Sequence, residues 1–176
     1  EEGLGGAASM IRDGALDDVF PDYCLACHIW AEKPKGWISC TPGAIMAGSG
    51  VFHIHLTGKG GHGAIPDQTS DPVITACLLV NGLQTIVSRN VSPLDSTVLS
   101  VTRIKAGDVV NVVPTTANVH GIVRAFKGDL IEFIFRRIKE ISADMASGMG
   151  CQAEVITKEI TPPVVNDEEI TKFAES

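Results

Sequence analysis

Apolar and polar residues alternate strictly through residues 51–57, with Phe52, Ile54 and Leu56 on one side and Val51, His53, His55 and Thr57 on the other. A period of two sends alternate side chains to opposite faces, so this stretch predicts a half-buried strand. The period then lengthens. Asp71-Pro72 opens a helix, with Asp71 as N-cap and Pro72 at the first helical position, and Val73, Cys77, Val80, Leu83 and Val87 follow at helical spacing. Cys77 thereby falls on the apolar face as a small core residue. "STVLSVTRIKAG" (96–107) reads as a β-branched strand closed by Gly107-Asp108, and "TANVHGIVRAF" (116–126) as another. Asp129 caps a second helix carrying Leu130, Ile134, Ile138, Ile141 and Met145, ended by Gly148 and Gly150. "CQAEVITKEI" (151–160) supplies a last strand before Pro162-Pro163.

The order β-α-β-β-α-β over residues 51–160 is the split βαβ arrangement of a ferredoxin-like sandwich, two helices on one face of a sheet whose other face stays open. Residues 1–50 and 161–176 read as partial pieces on either side of that module. They hold a short helix over 5–13, "YCLACHIW" (23–30) as a buried strand, extended segments over 36–47 broken at Thr41-Pro42-Gly43, and a tail helix capped by Asn166 or Asp167. A complete module between two partial ones is what domain insertion produces. Glu1, not Met, opens directly into the front of a helix, so the 176 residues are expected to be a segment of a longer protein.

Hydrophobic residues are 44% and charged residues 20%, an ordinary globular composition. The net charge of −7, with scattered basic residues, argues against nucleic acid, whose backbone demands clustered Lys and Arg. No apolar run approaches the roughly 20 residues of a membrane span, and no membrane partner is expected. Five cysteines without a regular framework favour a reducing, cytoplasmic setting.

Cys24-Leu25-Ala26-Cys27-His28 spells the C-x-x-C-H of c-type haem attachment. Such a site needs helical cysteines and a second axial ligand. This run is β-favouring, and Met46, Met145 and Met149 lie in unrelated contexts. A redox C-x-x-C pair lacks a following helix N-terminus to lower a thiol pKa. His28 alone, at the end of a strand, suits a metal ligand or a satisfied structural histidine. Glu1-Glu2 is a second feature, since zinc hydrolases combine carboxylate and imidazole ligands with a separate carboxylate base. His120 and Arg124 share a strand face, so the open sheet face is a candidate for polar contacts. His53 and His55 read as solvated.

Together, "EEGLGGAASMIRDGAL", the stretch ending His28-Ile29-Trp30, "GKGGHGAIPDQTSDPV", "LQTIVSRNVSPLDSTVLSV", "IKAGDVVNVVPTTANVHGIVRAF" and "PPVVND" closely resemble the zinc-dependent aminoacylase and carboxypeptidase family, in its branch of hippurate, N-acyl-amino-acid and auxin-conjugate hydrolases. The resemblance implies a catalytic α/β domain with two divalent metal ions, zinc or manganese, and an inserted lid domain that forms a homodimer. It implies hydrolysis of the amide bond of N-acyl amino acids. Position by position, Glu1 matches the general base and Glu2 the metal ligand beside it. His28 matches a second ligand, preceded by Ala26-Cys27 where relatives carry Gly-Leu. His62 matches a lid histidine that reaches the active site, in several relatives from the partner subunit. Asn111 and Arg124 match residues that bind the substrate's carboxylate or carbonyl. The family's other ligands, an upstream His-x-Cys-Gly-His cluster and a distant histidine, fall outside these residues, so this segment alone is expected to be inactive. The alternative is a non-catalytic lid and dimerisation module.

Overall fold

The computed structural model describes residues 6–175. In chain order the elements are α1 (Gly6–Arg12), β1 (Gly43–Met46), β2 (Gly48–Thr57), β3 (Gly61–His62), α2 (Pro72–Thr85) and β4 (Thr97–Ala106). They continue with β5 (Val112–Val113), β6 (Thr116–Ala125), α3 (Gly128–Gly148), β7 (Gln152–Thr161), β8 (Val164–Asn166) and α4 (Glu168–Glu175). Two compact units divide them: residues 47–163, and residues 6–46 with 164–175. The larger unit begins earlier than the alternation suggests, because Gly48, Ser49 and Gly50 are already paired with β6.

In the smaller unit β1 pairs antiparallel with β8, Gly43 opposite Asn166. Asp167, not Asn166, caps α4, its carboxylate accepting from the N–H groups of Glu169 and Ile170 at 2.9 and 3.0 Å. "YCLACHIW" is neither a strand nor buried: residues 23–30 carry no ladder, and Leu25 and Ile29 are 64% and 89% exposed. An apolar run becomes a strand only where a neighbour takes its N–H and C=O groups, and among the described residues none pairs with it.

The larger unit is built on a four-stranded sheet of order β4-β6-β2-β7, every neighbouring pair antiparallel. The first strand in the chain thus lies between the third and the last, as the split βαβ arrangement requires. Phe52, Ile54 and Leu56 of β2 and Ala117, Val119, Val123 and Ala125 of β6 face the helices and are buried. Gly121 sits among them. A Cβ there would lie 2.2 Å from the Phe52 ring and 2.3 Å from the Ser100 carbonyl oxygen.

α2 starts as its sequence directs. Asp71 accepts from Val73 N–H at 2.7 Å and Ile74 N–H at 3.4 Å, and Pro72 fills the first turn. Asp71→Ala is expected to cost about 1 kcal/mol of stability, read from the shift in urea midpoint. The buried stripe is Thr75, Ala76, Leu79 and Leu83, and Cys77 is exposed rather than in the core. The helix is apolar almost all round, so several stripes fit its sequence and only packing selects one. α2 with the turn after it, 19 residues over Pro72–Asn90, is long and apolar enough to pass for a membrane span. One side of it, Leu79, Leu83 and Ile86, is fully buried against the sheet and α3, and 33% of the span is buried in all. In α3 the N-cap is Lys127, without a side-chain bond, and Asp129 lies inside the first turn, where its charge suits the helix dipole. Ile131, Ile134, Ile138, Ser142 and Ala146 form its buried stripe.

Candidate functional site

His62 is positioned by backbone pairing. Beyond β2, Gly58 N–H donates to the Thr115 carbonyl at 2.8 Å, and Lys59 and Ser70 exchange two bonds of 3.0 and 2.9 Å. The chain then forms β3, which pairs with β5 so that His62 stands opposite Val112. Gly63 N–H donates to the Asn111 carbonyl at 2.8 Å. The crossing is tight: a Cβ on Gly60 would stand 2.7 Å from the Val113 carbonyl oxygen, which explains the Gly-Gly before His62. Two of the expected residues, His62 and Asn111, therefore meet at the Thr57 end of the sheet.

Ala64 N–H donates to His62 Nδ1 at 3.1 Å. A neutral imidazole that accepts at Nδ1 carries its proton on Nε2. The exposed ring accordingly turns one N–H donor outward, suited to an oxygen that gains negative charge. The Asn111 side chain is exposed and has no hydrogen-bond partner among the described residues.

Arg124 lies elsewhere. It stands opposite Ser49 and Val98 near the far end of β6, eight residues or roughly 26 Å of strand from Thr116, where the loop from Asn111 joins. It has no ion-pair partner among the described residues and lines a cavity of about 770 Å³ with Val87, Ser88, Arg89, Asp95 and Phe126. Asp95 is engaged by Lys127 at 2.6 Å, which raises the pKa of that lysine. Arg89 was not singled out by the sequence pattern. It reaches this cavity because α2 ends in a π-helical turn, Ile86–Asn90, a feature rare in proteins and frequent at functional sites. Its one sequence signal is the polar "SRN" closing an otherwise apolar helix.

His28 belongs to the smaller unit. Its Nδ1 lies 2.7 Å from the Ile29 carbonyl oxygen, which can only accept, so Nδ1 is the donor and Nε2 keeps a free lone pair. That is how metal-bound histidines are commonly oriented. Glu1 and Glu2 lie outside the described residues. Among the described residues no three His, Cys, Asp or Glu side chains gather in metal-binding geometry, so His28 has no second ligand beside it among them. Cys24 and Cys27 are free and exposed on a non-helical stretch, without the helical turn that haem attachment needs.

His53 and His55 are not simply solvated. Both are half-buried on the open sheet face, His53 Nε2 and His55 Nδ1 lying 3.1 and 3.0 Å from the Asn118 side-chain oxygen. The His53 ring stacks on His120 at 4.0 Å between centroids and 12° between planes. Burial, and then the nearby His53 and Arg103, hold the pKa of His120 below its ordinary 6.5, so it is neutral at pH 7.

Residues 46–149 match the family described as peptidase dimerisation domain. The chain is 40% identical to an IAA-amino acid hydrolase of Arabidopsis thaliana over 176 residues, covering 98% of this chain and 39% of that protein. It is 36% identical to the N-acetyldiaminopimelate deacetylase of Bacillus subtilis, covering 98% of this chain and 46% of that one. The chain thus spans less than half the length of these relatives. Among solved structures, a protein from methicillin-resistant Staphylococcus aureus superposes with a TM-score of 0.89 at 28% identity, over 96% of this chain and 44% of that one. A Bacillus subtilis dinuclear metal-binding peptidase of the M20 family gives 0.70 at 26% identity, over 96% and 41%.

Proposed function

We propose, because the chain belongs to the peptidase dimerisation domain family, that it is the lid-bearing part of a metal-dependent amidohydrolase acting on N-acyl amino acids. One observation carries the reading most directly. His62 sits on a pinned two-strand ladder beside the free amide of Asn111 and turns an Nε2–H donor outward. The relatives named IAA-amino acid hydrolase and N-acetyldiaminopimelate deacetylase support it.

Two divalent cations, zinc or manganese, held in part by Glu2 and His28, would supply an activated water and a Lewis acid. Glu1 takes the proton from the attacking water and gives it to the leaving amine. His62 donates from Nε2 to the oxygen that becomes negative as the carbonyl carbon turns tetrahedral. Asn111 steadies the carbonyl side, and Arg124 holds the carboxylate of the amino-acid half through a charge-assisted pair.

His62 and Arg124 lie at opposite ends of the sheet, farther apart than an acyl amino acid reaches. If both serve one substrate, they come from two copies, which accords with a family described by dimerisation.

The test is hydrolysis of a panel of N-acyl amino acids by the full-length protein with zinc or manganese, for the natural sequence and for Glu1→Gln. Release of free amino acid that falls by about 10²-fold or more in Glu1→Gln is expected. No turnover by either protein would leave the chain as a lid and dimerisation module without catalysis.

A further inference from the structure

The open sheet face holds a cluster that the amide chemistry does not use. His53 and His55 are two apart on β2, and Asn118 faces them from β6. One atom gathers them: Asn118 Oδ1, 3.1 Å from His53 Nε2 and 3.0 Å from His55 Nδ1. A tetrahedral ion with bonds of 2.0–2.1 Å has ligand atoms about 3.3 Å apart. The two measured separations are close to edges of such a polyhedron.

We infer that His53 Nε2, His55 Nδ1 and Asn118 Oδ1 form a binding site for a divalent cation of the zinc, copper and nickel class. Two imidazoles select borderline metals over magnesium or calcium. Without metal, both rings donate an N–H to Oδ1. On binding, each neutral ring moves its proton through solvent to its other nitrogen, so two lone pairs replace two N–H groups and no proton is released. Two ring acceptors then stand 3.1 and 3.0 Å from a third, the Asn118 oxygen, an arrangement that repels unless a cation is shared among them. Solvent supplies the fourth position.

The surroundings favour this. The stack on His120 holds the His53 ring before any metal arrives, and a preset ligand loses less entropy on binding. Glu154 stands opposite His55 across the β2–β7 ladder and supplies negative charge. Lys105 opposite Asn118, Arg103 opposite His120 and Lys158 opposite Val51 oppose it, which keeps the affinity modest.

The experiment is calorimetric titration of the 176-residue chain with zinc chloride, repeated for His53→Gln, His55→Gln and the double Cys24→Ser/Cys27→Ser. Each variant is first compared with the parent by far-ultraviolet circular dichroism. One equivalent of zinc is expected, with affinity reduced about tenfold or more by either histidine substitution and unchanged in the serine pair. Cobalt in place of zinc gives visible absorption that His55→Gln removes. Absence of zinc binding, binding that survives both histidine substitutions, or binding abolished in the serine pair would overturn the assignment.

Discussion

Mixing full-length His62→Ala and Arg124→Ala proteins, each nearly inactive alone, is expected to restore about a quarter of the natural turnover once subunits exchange. The expectation rests on the proposed dimer and on the placement of the two residues toward opposite ends of β6, His62 on β3 beyond its start and Arg124 near its end. In a hybrid dimer, one site takes Arg124 from the first subunit and His62 from the second, and both are intact. The other site lacks both. Random exchange makes half the dimers hybrids, and half the sites of each hybrid work. If one subunit supplied both residues, every hybrid site would lack one of them and no activity would return. Each single substitution is expected to cost about 10²-fold or more in kcat or kcat/KM.

The largest expected loss of stability comes from Gly121→Ala. The added methyl meets two obstacles, and the Ser100 oxygen at 2.3 Å is the harder one. It is backbone of β4, held by the ladder to β6, and retreats only by breaking pairing. The Phe52 ring belongs to the buried core cluster, with the residue only 2% exposed. We expect about 3 kcal/mol of destabilisation, measured as a lowered urea midpoint with little change in slope. A substitution usually mild in a strand thus becomes severe at this position.

The elements most legible in the sequence are those whose local signals agree. In β2 the strict alternation, and at Asp71-Pro72 the cap and the proline, leave one reading each. α2 shows the limit: with apolar residues on nearly every side, its sequence does not say which stripe the sheet covers, and helical spacing alone puts the exposed Cys77 on the wrong face. "YCLACHIW" marks another limit, since strand propensity without a partner strand builds nothing. The site follows the same division. His62, on β3, and Asn111, just before β5, lie beside glycines and a proline that the sequence displays. Arg89 depends on a π turn, and the convergence of His53 and His55 depends on a residue 63 positions away in the chain. The first leaves only the polar "SRN" at the end of an apolar run, and the partner that gathers the two histidines leaves no local trace.

The larger unit enters and leaves through one doorway. Gly48 lies so near Pro163 that an added Cβ would be 2.8 Å from the proline ring, while Met46 and Val164 face each other across the β1–β8 ladder. Excising residues 47–163 and joining Met46 to Val164 by Asn-Gly would turn that ladder into an ordinary hairpin. The larger unit is therefore a cassette, one that can be exchanged, enlarged or discarded without rethreading the chain on either side of it.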